Sequence, residues 1–168
     1  MTIASGYGSN VPKWVLHIEN RPPLETFEQE SFRVLAKGEA AQVIAQTSNH
    51  WRKVFSIMAK ISFGLFETGC DTWQEYRDSS LLTENGFEAI SYQKYDFAQN
   101  QTLVSIICGF KFAQTQLSLD ELYPLDTQPK LLVAEQAKCI VTPYFDWRQL
   151  NNEMLASLIS LMRTQVSR

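Results

Sequence analysis

At 168 residues the chain has the length of one domain and is large enough to bury a sizeable core. Its 45% apolar and 20% charged residues are ordinary for a globular protein, and no run approaches the ~18 consecutive apolar residues of a membrane span. A formal net charge of -3 argues against a basic nucleic-acid binder as a whole.

The charge is unevenly spread. Residues 1–60 hold seven basic and five acidic side chains, residues 61–135 hold four and eleven, and residues 136–168 hold four and two. Two mildly positive ends therefore flank an acidic middle. Three widely spaced cysteines, Cys70, Cys108 and Cys139, fit neither a disulfide framework nor a metal cluster. Cys108 and Cys139 sit in apolar runs, where a free thiol behaves as a small hydrophobe. The N-terminus has no basic and apolar leader pattern, so the expected location is cytoplasmic.

In chain order, residues 1–12 are rich in Gly, Ser and Asn and read as a flexible arm before a single domain over 13–168. Lys13 to Ile18 is the first strand candidate, and Pro22 and Pro23 stop it. Leu24 to Ala36 has Phe27, Phe32 and Leu35 at helical spacing and reads as a short helix. After Gly38, apolar residues recur at Ala40, Ile44, Trp51, Val54, Met58, Ile61 and Leu65. That spacing predicts helices over about 39–47 and 49–64, with Ser48 or Asn49 capping the second.

Residues 64–83 read as loop with a short helix. Phe87 to Tyr95 reads as an edge strand or an aromatic-anchored loop. Thr102 to Cys108 is β-branched and almost wholly apolar, as expected for a strand covered on both faces. Gly109 then opens a turn into a helix. Pro124 and Pro129 bracket a loop, Cys139 to Thr142 is the last strand, and a helix with Leu150, Met154, Leu155, Leu158, Leu161 and Met162 on one stripe follows. Either Asp146 or Asn151 caps it.

Buried strands alternating with helices predict a three-layer α/β/α domain with a mostly parallel central sheet of about four strands. In that architecture ligands bind beyond the carboxyl ends of the strands. The expected ends are Glu19–Pro23, Gly109–Lys111 and Pro143–Arg148, and they hold most of the chain's unusual chemistry. Glu19, Asn20 and Arg21 put a carboxylate, an amide and a guanidinium at one strand end, able to orient water or an anion, or simply to tie up loop backbone. Around Tyr144, the rings are either lids over the sheet end or a stacking platform beside Asp146, Arg148 and Asn151. His50 stands at a helix start beside Arg52 and Lys53, as a solvated residue or a ligand group, and His17 reads as a sheet histidine. No phosphate-loop, dinucleotide, zinc-helix or nucleophile-elbow motif is present, so neither cofactor nor metal is expected.

Four segments in order, Trp14-Val-Leu-His-Ile-Glu-Asn-Arg-Pro-Pro23, Ser48-Asn-His-Trp-Arg-Lys-Val-Phe55, Ser105-Ile-Ile-Cys-Gly-Phe-Lys-Phe-Ala113 and Cys139-Ile-Val-Thr-Pro-Tyr-Phe-Asp-Trp-Arg148, resemble the motifs of the uracil-DNA glycosylase superfamily. The first departs from the family's Gly-x-Asp/Asn-Pro: Glu19 stands where Gly is wanted and Asn20 is one place early. The last has Thr142-Pro143-Tyr144 in place of His or Asn, Pro, Ser. The resemblance implies the fold more than the activity. It implies a nucleic-acid or nucleotide partner, with Asn20 or Glu19 positioning water, Tyr144 stacking on a base, and Lys111 and Arg148 contacting phosphate or base. The competing expectation is a non-enzymatic interaction domain or homodimer, using Trp73, Tyr76, Tyr92 and Tyr95 as interface aromatics.

Overall fold

The computed structural model describes residues 2–96, 98, 102–134 and 138–166. These form a seven-stranded sheet and five α-helices. The strands are β1 (Gly6–Gly8), β2 (Trp14–His17), β3 (Glu88–Ser91), β4 (Val104–Cys108), β5 (Tyr123–Leu125), β6 (Gln128–Ala134) and β7 (Cys139–Thr142). The helices are α1 (Glu39–Gln46), α2 (Asn49–Leu65), α3 (Trp73–Ser79), α4 (Phe110–Gln116) and α5 (Asn152–Val166).

The sheet order is β1-β3-β2-β4-β7-β6-β5. The three central pairings, β3 with β2, β2 with β4 and β4 with β7, are parallel. The three outer ones, β1 with β3, β7 with β6 and β6 with β5, are antiparallel. The expectation of a mostly parallel sheet of about four strands is therefore corrected to a mixed sheet of seven.

The outer strands come from segments whose composition hides them. Residues 6–8, read as part of a flexible arm, form buried edge strand β1. Its glycines are required by close approach: a Cβ on Gly6 would lie 1.9 Å from the Ile90 carbonyl oxygen, and one on Gly8 2.6 Å from the Ala89 Cα. Both glycines also hold positive φ, which side chains rarely adopt. The outer edge of β1 is taken up by Arg33, whose amide donates to the Gly6 carbonyl while its own carbonyl accepts from Gly8. The stretch between Pro124 and Pro129 is a hairpin, with Pro124 on the edge strand where no ladder donor is needed. Phe87–Tyr95 supplies β3, which lies inside the sheet because β1 covers it.

Alternation along the central strands sends Trp14, Leu16, Val104, Ile106 and Ile140 to one face and Val15, His17, Ile107, Cys139 and Val141 to the other. The first face carries α1, α2, α3 and α5. Residues 54–59 of α2 are all buried, so this helix is enclosed by its neighbours, as its apolar sequence demands. The second face carries α4 and a 3-10 turn at Leu119–Glu121. Leu24–Ala36, expected as a helix, holds only a 3-10 turn at Glu25–Phe27; Arg33 and Leu35 are extended and bridge to Tyr7 and Thr83. The Leu35 and Phe27 side chains still reach the core from this irregular segment.

One buried carboxylate organises the amino-terminal end of the sheet. Glu88 accepts from the Ser62 hydroxyl, from the Tyr76 hydroxyl at 2.8 Å and from the Leu82 amide at 2.8 Å. Ser62 in turn accepts from the Trp14 indole, and Tyr76 from the Phe87 amide. Each hydroxyl is thus turned to donate to Glu88. Burial pushes this carboxyl up, and the three donors oppose that.

Candidate functional site

The parallel strands change direction of travel around β2: β3 lies on one side, β4 and then β7 on the other. Such a switch point opens a crevice beyond the strand carboxyl ends. Here a cavity of about 430 Å³ lies there, lined by Glu19, Cys108, Gly109, Phe110, Lys111, Phe112, Tyr144 and Gln149. It draws on the exits of β2, β4 and β7. Gly109 at φ 99° turns the chain from β4 into α4 and lets the Tyr144 ring close over it, 3.5 Å from where a Cβ would be.

Tyr144 ties the two loops together. Its hydroxyl donates to Asn20 Oδ1 at 3.1 Å and lies 2.5 Å from His50 Nε2. A phenol has one proton; given to Asn20, it leaves His50 Nε2–H as the donor to the phenol oxygen. The His50 and Tyr144 rings stack at 5.4 Å, with 18° between planes. Burial lowers the His50 pKa, as does the Lys53 charge, while Asp146 pulls it back. Burial raises the Tyr144 phenol, helped by Cys108 and Glu19. The Cys108 thiol, buried in the cavity wall, is pushed up to about 12 and is no nucleophile at neutral pH.

The candidate residues fall into two groups. Glu19, Lys111 and Tyr144 line the cavity, with Asn20 and His50 directly behind Tyr144. The others serve the scaffold. Arg21 turns away: its guanidinium donates to the Tyr7 hydroxyl and to the Phe27 and Gln29 carbonyls, and lies 4.0 Å above the Tyr92 ring. Tyr92 in turn donates to the Asn20 carbonyl at 2.9 Å. Arg21 thereby clamps β1 to the exit of β2. Asp146 pairs with Lys53 at 3.0 Å and accepts the Arg148 amide, and these bonds hold its carboxyl below the usual range. Asn151 accepts the Met154 amide at 2.9 Å and is the cap of α5. The Arg148 side chain is exposed and does not line the cavity.

Phe110, Phe112 and Gln149 line the cavity without being candidate site residues from the sequence, where Gln149 reads only as a capping partner of Asp146. The available signal was their place after strand ends, two of them flanking Lys111. Lys53 was legible as the residue one turn beyond His50 on the same helix face. Of the aromatic set expected at an interface, Tyr76 and Tyr95 are buried within the chain and drop out, while Trp73 and Tyr92 are half-buried. Among the described residues no group of three or more His, Cys, Asp or Glu side chains is placed to hold a metal ion. No helix among them is long and apolar enough to cross a membrane.

Compared with known proteins, residues 5–163 match DUF6942, a family of unknown function. The chain belongs to that family. No curated protein and no solved structure matches it. The match spans every cavity residue, so the crevice lies within the family's shared region.

Proposed function

We propose that this DUF6942 chain binds a nucleotide, free or as an exposed base of a single-stranded nucleic acid, in the crevice between the exits of β2, β4 and β7. The observation that carries this reading is the meeting of two loops 124 residues apart, Tyr144 on Asn20, beside a cavity with three aromatic walls and one lysine. A planar base fits against Phe110, Phe112 or Tyr144, and Lys111 supplies a cation for phosphate. Ring-on-base stacking contributes ~1–3 kcal/mol. The cavity volume lies within the ~300–1,000 Å³ of small-ligand sites.

The resemblance to uracil-DNA glycosylases is part of the same proposal. Its four segments each contribute to this corner: Glu19 and Asn20, His50, Lys111, and Tyr144. Glycosidic hydrolysis needs a group to hold water. The Asn20 oxygen is engaged by Tyr144 and is not free to hold that water. The reading therefore rests on binding.

The test is calorimetric titration with nucleoside monophosphates and a short single-stranded oligonucleotide at low salt. Binding is expected, weakened about 5- to 150-fold by Tyr144→Ala, the fold equivalent of one lost stack. Lys111→Ala should weaken it further and reduce the salt dependence. No binding by the parent protein overturns the reading.

A further inference from the structure

Resting on that reading, we propose that the base taken by the crevice is guanine, selected by the Glu19 carboxylate. Glu19 and Lys111 line one small cavity, yet neither forms a hydrogen bond or an ion pair among the described residues. Asn20 and His50 are engaged with Tyr144 and Asp146 with Lys53, while Gln149, also on the cavity wall, is a neutral amide and carries no charge. An anion and a cation held apart across an aromatic-walled space complement a ligand with donors at one end and negative charge at the other. A nucleotide has that polarity when its base offers donors.

The chemistry of the carboxylate then chooses among bases. An ionised carboxylate is acceptor-only, with two oxygens side by side. Its best partner presents two adjacent donors, as in bidentate pairs. Guanine alone among the common bases does so, with N1–H beside the 2-amino group. Adenine and cytosine offer one amino group next to a ring nitrogen lone pair, which would face the second oxygen. Uracil offers one N–H between two carbonyls, both repelled. Glu19 and Lys111 are exposed at the cavity mouth, so the carboxylate selects by the geometry of the donors it meets.

The experiment measures affinities of the full chain for guanosine, inosine, adenosine and uridine 5′-monophosphates, with the parent and Glu19→Gln. Guanosine monophosphate is expected to bind about tenfold more tightly than inosine monophosphate, which lacks the 2-amino donor, the fold equivalent of one charge-assisted hydrogen bond. The gap to the adenosine and uridine nucleotides should be about a hundredfold, since two such bonds are lost. Glu19→Gln, which replaces one acceptor by a donor, should bring the four to within about threefold, the residue of a single neutral bond. Equal binding of all four by the parent overturns the guanine assignment while leaving nucleotide binding intact. So does a uniform loss on Glu19→Gln, which would put the carboxylate on the sugar. If none of the four binds, the nucleotide reading itself falls, and this assignment with it.

Discussion

Protonation of His17 should set the acid limit of this protein's stability. The side chain is 1% exposed at the end of β2, packed edge-on against Tyr95 at 5.3 Å. Burial disfavours the imidazolium and pushes the pKa from 6.5 to about 4, against a weaker upward pull from the Gln93 backbone. The unfolded chain then takes up the proton first as pH falls. Stability from this residue is complete above pH 6.5 and is lost progressively toward pH 4. At 1.36 kcal/mol per pKa unit the full loss is about 3 kcal/mol, with about 2 kcal/mol gone by pH 5. Urea unfolding of the parent and His17→Gln between pH 4 and 8 isolates the effect, because the remaining acids are common to both. The difference in unfolding free energy should drift by about 3 kcal/mol across that range, and the parent's His17 ring resonance should titrate near pH 4. Parallel stability curves for the two proteins would refute the reasoning.

Three other perturbations follow from the geometry. Glu88→Ala strips the acceptor from Ser62, Tyr76 and the Leu82 amide in a dry site and should cost about 3 kcal/mol or more, read from the urea midpoint. Gly8→Ala sets a Cβ against β3 backbone at φ 130° and should lower stability by at least about 2 kcal/mol, with a thermal midpoint several degrees lower. In native buffer a thiol reagent should label Cys70, which is half-buried, and reach Cys108 and Cys139 only after unfolding; early labelling at three sites would contradict their burial.

How far the sequence spoke depended on whether a segment's role was carried by side-chain pattern. The β-branched run before Cys108, the apolar periodicity of α2 and the stripe of α5 announced themselves because burial selects the residues that form them, whereas Ser48 stands at the start of α2 without a capping side-chain hydrogen bond. The 49–64 helix was placed to within a residue of its observed end. β1 was illegible since its Gly-Tyr-Gly is dictated by backbone proximity to β3, and glycine in a sequence looks the same whether it loosens a chain or lets two strands touch. The β5–β6 hairpin was masked by prolines that an edge strand tolerates. Leu24–Ala36 misled in the opposite sense, as apolar residues at helical spacing there reach the core from an extended path. At the site, the convergence of Glu19, Lys111 and Tyr144 followed from their places just beyond the carboxyl ends of buried strands, whereas the scaffold duty of Arg21 depends on β1 and had no sequence signal.

The Arg21 clamp bears on when this protein is finished during synthesis. β1 ends at Gly8, but its partner β3 begins only at Glu88. Until that strand emerges, the Gly6 and Gly8 backbones have no inner neighbour, and Tyr7 is not yet fixed as an anchor for Arg21. The loop carrying Glu19 and Asn20 therefore waits for residues about seventy positions later before it is pinned, and for Tyr144 before its crevice has a wall. Long-range closures of this kind are slow to form. A nascent or truncated chain ending before β7 leaves the β2 exit loop without Tyr144, its partner across the sheet end.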